Sequence, residues 1–174
     1  YLALERTRNT LEVLFTQRVQ TLTDMGELRT TLGDLRRAEK DIIINFNNTI
    51  EVSNGRDLWK KSLQNLTKGM ADVRKVQAAD ASFAEAIDKA LAEVKEYEAG
   101  ISPVFEQIER AQIDGAVGGA YAEKYKKHME ASDKLLFDLA MDARKKMDEA
   151  RQGVDALAST MSGMIGGALL LALA

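Results

Sequence analysis

The densest chemistry in the chain lies at Leu35-Arg36-Arg37-Ala38-Glu39-Lys40-Asp41, where two guanidiniums, two carboxylates and an ammonium run into three isoleucines. A guanidinium forks onto a carboxylate with two parallel hydrogen bonds, so an inward arginine here suits an organic anion. Arg29 and Arg36 share the heptad row of Leu22 and Ile43, flanking an apolar seam, and Glu39 falls on the seam itself. A buried carboxylate needs a partner. Arg36 or another helix can supply it, either as an ion pair that fixes helix register or as part of a binding site. In this reading Arg37, Lys40 and Asp41 turn outward.

A second group, Tyr121, Tyr125, His128 and Ser132, forms an inward or flanking stripe near the start of the last helix. Hydroxyl and imidazole donors would orient a carboxylate held by Arg36. Each residue alone has a plainer fate: the tyrosines as core with the hydroxyl at the rim, His128 as a satisfied bundle histidine. The candidate site rests on their convergence, since Arg36 and His128 each lie about ten residues from the expected turns.

Composition removes most other chemistries. With no cysteine there is no disulfide, thiolate nucleophile or cysteine-bound zinc. His128 is the only histidine, which excludes a His-Glu-x-x-His zinc site and a di-iron bundle built on two Glu-x-x-His motifs. Carboxylates are plentiful, but none stands beside a nucleophile or in a glycine-rich strand-to-helix turn. The expectation is a protein that is not an enzyme and takes no cofactor. A net charge of −3 and the lack of a basic face with interleaved aromatics argue against nucleic acid as a partner.

The elements that must position these residues are helical. An apolar fraction of 45%, one proline and few aromatics point to an all-α fold. Leu4, Leu11, Arg18, Met25, Leu32, Glu39 and Phe46 recur every seven residues, with Leu14, Thr21, Leu28, Leu35 and Ile42 as a companion stripe, which predicts a first helix over about 2–48. Asn54-Gly55 signals a turn, followed by a second helix over 56–77 with Trp59, Leu63, Leu66, Met70 and Val73 inward. Asp80 or Ser82 caps a third, carrying Phe83, Ile87, Ala90, Val94, Tyr97, Ile101, Val104, Ile108 and Ala111, with Gly100 and Pro103 predicting a kink or local unwinding. Asp114-Gly-Ala-Val-Gly-Gly119 reads as an interhelical turn, since it lacks the lysine and the preceding strand of a phosphate loop. A fourth helix follows from about Ala120 through Leu157 into the apolar tail, with Tyr121, Tyr125, Met129, Leu136, Leu139, Ala143, Ala150, Val154 and Leu157 inward.

Short connections make neighbours antiparallel, so the pattern predicts an up-down-up-down four-helix bundle over 1–160. Its first and fourth helices outrun the inner pair as a two-helix stalk. From Met161 the chain reads MSGMIGGALLLALA without a charge. It is expected to be the start of a transmembrane helix over 161–174, with Tyr1 also near the bilayer; the alternative is a buried terminal core helix.

With the stretch Arg36-Arg37-Ala38-Glu39-Lys40-Asp41, similar to an Arg-Arg-x-Glu-Lys-Asp pattern, this arrangement resembles the periplasmic four-helix-bundle sensor domain of bacterial methyl-accepting chemotaxis proteins. The resemblance covers nearly the whole chain. It implies a domain in the periplasm, held at the inner membrane by flanking helices, that senses a small organic anion such as a di- or tricarboxylate, an aromatic acid or an amino acid. It also implies a homodimer with first helices in contact, where Arg37 either bridges the interface or is solvated. The same domain attached to a histidine kinase or cyclase, or a ligand-free helical spacer, are the alternatives. A passive spacer would have no use for inward Arg29 and Arg36.

Overall fold

The computed structural model describes the backbone of residues 2–172 and, Leu4 apart, the side chains through Met164. The chain is all-α: α1 (Leu2–Ile44), α2 (Thr49–Val76), α3 (Ala81–Glu109) and α4 (Gly115–Ala172), with no strand among the described residues. The inner helices have 28 and 29 residues, against 43 for α1 and 58 for α4.

Each inner connection is short because a side chain caps the helix that follows. Asn48 Oδ1 accepts from the Glu51 N–H at 3.3 Å, Asp80 Oδ1 from the Phe83 N–H at 3.0 Å, and Asp114 Oδ1 from the Val117 N–H at 2.8 Å. Each bond satisfies a first-turn donor that the helix itself leaves open. The end of α3 is a Schellman motif, with the Ala111 N–H on the Ile108 carbonyl at 2.9 Å and the Gln112 N–H on the Gln107 carbonyl at 2.8 Å. That geometry places Ala111 at φ 53, the left-handed region, on a residue expected to face the core and found exposed.

Two segments expected as turns are helical. Asn54-Gly55 lies inside α2, where a methyl on Gly55 would stand 2.8 Å from Ile42 Cγ1. Gly115 and Gly118 lie inside α4, where a methyl would meet the Ile43 carbonyl oxygen at 2.6 Å and Ile108 Cδ1 at 2.7 Å respectively. These glycines mark close approach between helices, not chain reversal. Likewise, α3 passes through Gly100 and Pro103 as one helix without unwinding.

The chain divides into two compact units. The unit of residues 24–139 holds the core: Met25, Leu35 and Ile42 of α1, Leu66 and Met70 of α2, Ile87, Ile101 and Phe105 of α3, and Met129 and Leu136 of α4 are all fully buried. Burying each such side chain is worth roughly 1.5–3 kcal/mol before chain entropy is charged. Within this unit α1 meets α2 at Ile42–Gly55 and Leu28–Gly69, and α2 meets α3 at Trp59–Phe105 and Arg74–Asp88. α3 meets α4 at Glu93–His128, and α1 meets α4 at Arg29–Asp133. Four helices thus share one core, a bundle.

The other unit is formed by Tyr1–Thr23 and Ala140–Ala174. There Gly153 faces Leu11, and Glu12, Phe15, Thr16, Arg151 and Val154 line a cleft of about 410 Å³. No helix over the described residues is long and apolar enough to cross a membrane. Of the expected membrane segment 161–174, the α4 backbone is helical through Ala172; the side chains after Met164 lie outside the described residues.

Candidate functional site

The Arg-Arg-x-Glu-Lys-Asp stretch occupies the last three turns of α1, where Leu35, Ala38 and Ile42 are fully buried and fix which neighbours turn toward α4. Arg36, Glu39 and Lys40 line one wall of a cleft of about 320 Å³, and Ala122, Glu123 and Lys126 of α4 line the other. Gly119 adds no side chain to the α4 wall, and a methyl there would stand 3.7 Å from Ile43 Cγ2, which also lines the cleft. Among the described residues neither Arg36 nor Lys40 makes an ion pair, whereas Lys126 lies 3.5 Å from both Glu123 and Glu130. The cleft therefore sets three cations against the Glu39 and Glu123 carboxylates, and of the cations Arg36 and Lys40 keep free donors that a small carboxylate could take.

Behind the cleft, Glu39 enters a buried polar chain. The Tyr97 hydroxyl donates to Glu39 Oε2 at 2.5 Å and accepts from Trp59 Nε1–H at 3.1 Å. Tyr97 is fully buried, and Trp59 packs edge-on against Phe105 with ring centroids 5.2 Å apart. Burial holds the Glu39 carboxyl above the ordinary carboxylate range, against the opposing pull of the Tyr97 hydrogen bond and of the Arg36 and Lys40 charges; Glu123 pushes the same way as burial. Burial and the adjacent Glu39 carboxylate raise the Tyr97 phenol well above its usual value, so it stays a donor.

The other arginines and the α4 stripe sit elsewhere. Arg29 grips Asp133 with two bonds, at 2.7 and 3.2 Å, and lies over the Phe137 ring at 5.0 Å. Arg37 is exposed, 3.7 Å from Asp34. Tyr121, expected inward, is exposed, with Lys124 Nζ 5.0 Å above its ring. Tyr125 is half-buried against Gly100 of α3, where a methyl would overlap its ring. His128 Nδ1 lies 2.6 Å from Glu93 Oε2 on α3. Ser132 is fully buried, and its Oγ has no hydrogen-bond partner among the described residues. Of the seven candidates, Arg36 alone lines the cleft; Tyr125 and His128 face α3, not the α1 wall where Arg36 stands.

Beyond Glu39, three charged cleft residues lie outside those seven. Lys40, read as outward, is exposed and borders the cleft mouth, as do Glu123 and Lys126. The α4 pair recurs at i and i+3 beside buried Ala122, a small residue that a search for aromatic and aliphatic stripes passes over. Trp59 and Tyr97 were legible as core, but their polar ends join Glu39 only through the packing of α2 and α3. Compared with family models, curated proteins and solved structures, the chain matches none of them.

Proposed function

We propose that this chain is the periplasmic sensor domain of a bacterial inner-membrane chemotaxis receptor, and that it binds a small organic anion in the α1–α4 cleft. The observation that carries the reading is the pair of unpaired cations, Arg36 and Lys40, in a concave site bounded by two different helices. Arg36 is half-buried and Lys40 exposed, so both keep donors open to an anion entering from solvent. The bundle runs up-down-up-down with antiparallel neighbours, a topology supported by the pairings Ile42–Gly55 with Leu28–Gly69, and Ile43–Gly115 with Arg29–Asp133. An anion bridging Arg36 and the Lys126 side of the cleft would bias α4 against α1, and the continuous helix α4 would carry that displacement toward the membrane. The working unit is a homodimer.

The test is a thermal-shift screen of the chain against di- and tricarboxylates, aromatic acids and amino acids, repeated with Arg36→Ala. A ligand at a hundred times its Kd adds about 2.7 kcal/mol, which at this chain length raises Tm by roughly 5–10 °C. A carboxylate hit that disappears in Arg36→Ala supports the site; a hit that survives moves the site away from this cleft. A ligand-free helical spacer is favoured by one observation, that Arg29 and His128 are already held by Asp133 and Glu93. It predicts no shift with any compound.

A further inference from the structure

Glu39 is an unexpected wall for an anion site. Its Oε2 is taken by the Tyr97 hydroxyl, and its Oε1 makes no hydrogen bond with any described residue while the side chain lines the cleft. As a carboxylate, Oε1 repels an anion held by Arg36. As a carboxylic acid, the same oxygen carries a proton and donates to it. We propose that the cleft takes its anion together with a proton, and that Glu39 is the residue that receives the proton and decides which form of the site is competent.

The groups around Glu39 make this a two-sided balance. Burial, the largest influence, favours the acid. From α1, Arg36 and Lys40 favour the carboxylate; from α4, Glu123 opposes it, and Lys126 lines the same cleft. From α3, the Tyr97 hydroxyl donates to the carboxylate, backed by the Trp59 indole of α2. In the empty cleft the two α1 cations oppose proton uptake by Glu39, against the pull of burial. A bound anion neutralises Arg36 and Lys40 and adds a like charge beside Glu39. Both changes favour the acid form. Proton uptake and anion binding then assist each other by linkage, and the Tyr97 hydroxyl keeps its place, since a carboxylic acid still accepts on its second oxygen. The Glu39–Tyr97–Trp59 chain links that event to the only tryptophan in the protein, which serves as its reporter.

This inference rests on the anion-site reading of the cleft, and two readouts separate them. Benzenesulfonate and sulfate keep their charge between about pH 5.5 and pH 7.5 and serve as probes. Calorimetric titration of the whole chain at both pH values, in buffers of different ionisation heat, gives affinity and protons taken up; Trp59 fluorescence follows the same titrations. The expected result is affinity falling toward tenfold per pH unit above the Glu39 midpoint, with uptake of up to one proton per anion. In Glu39→Gln, which keeps the shape and the acceptor for Tyr97, affinity becomes independent of pH and uptake disappears. Binding that is sensitive to Arg36→Ala yet equal at both pH values, without proton uptake, overturns the proton coupling and leaves the anion site standing. Failure of both probes to bind at either pH, or binding unaffected by Arg36→Ala, overturns the cleft reading and the coupling with it.

Discussion

Gly100 offers the sharpest test of how α3 and α4 are packed. In an open helix position Gly→Ala stabilises by about 0.8–1 kcal/mol, because alanine loses less backbone entropy on folding. Gly26 and Gly33 of α1 are such positions, since a methyl on either would meet nothing within 4 Å. At Gly100 the same methyl overlaps the Tyr125 ring, so the ring must leave its place against α3. Overpacking of this kind costs about 1–3 kcal/mol. Set against the propensity gain, Gly100→Ala should lose about 1 kcal/mol, while Gly26→Ala and Gly33→Ala each gain about 0.8. All three sites lie in the unit of residues 24–139, which also holds Trp59, so urea unfolding followed by tryptophan fluorescence reads them in one transition. Adding Tyr125→Ala should turn Gly100→Ala from destabilising to stabilising, the signature of a direct contact in a double-mutant cycle. If Gly100→Ala stabilises as much as the two α1 variants do, Tyr125 does not pack on α3 and the face assigned to α4 is wrong.

Other outcomes follow from single groups. Ala111→Gly should stabilise by about 1 kcal/mol, because glycine adopts the left-handed conformation at φ 53 without the penalty alanine carries there; an unchanged unfolding midpoint would contradict that cap. Glu39 has a raised carboxyl, so its contribution to stability is complete below the unfolded-state value and is lost as pH rises through the folded one. Glu39→Gln should therefore gain on the wild type in urea midpoints as pH rises above the ordinary carboxylate range, and a difference that shrinks as pH rises would reverse that sign. Tyr97→Phe strips the partner from both Trp59 Nε1 and Glu39 Oε2 and should cost about 1–3 kcal/mol with an altered Trp59 emission; a neutral effect on both would mean that water replaces the hydroxyl.

Helix type and core faces could be read directly from spacing. Trp59, Leu63, Leu66, Met70 and Val73 of α2, and Phe83 through Ile108 of α3, are buried where a period of 3.6 places them, and Asp80 caps α3. These are local properties: a turn of helix sets its own apolar face, and a cap is decided within three residues. The glycines misled for the opposite reason. Asn54-Gly55 and Gly115-Ala-Val-Gly118 have the composition of turns, and only the arrival of Ile42, Ile43 and Ile108 from other segments gives those glycines their helical role.

The same division runs through the site. That Arg36 and Glu39 lie on the seam side of α1 was determined by the heptad pattern of that one helix. Which side chains meet them was not. A rotation of α4 by one residue, about 100°, would exchange the wall of Ala122 and Lys126 for that of Tyr121 and Tyr125, and the pattern of α4 tolerates either because Tyr121 and Ala122 can both border a core. The packing of Tyr125 on Gly100 and of His128 on Glu93 decides it, turning those two residues to α3 and leaving Glu123 and Lys126 to face α1. Periodicity sets the face within a helix; the partner of that face depends on the close fit of side chains between helices, which no single segment contains.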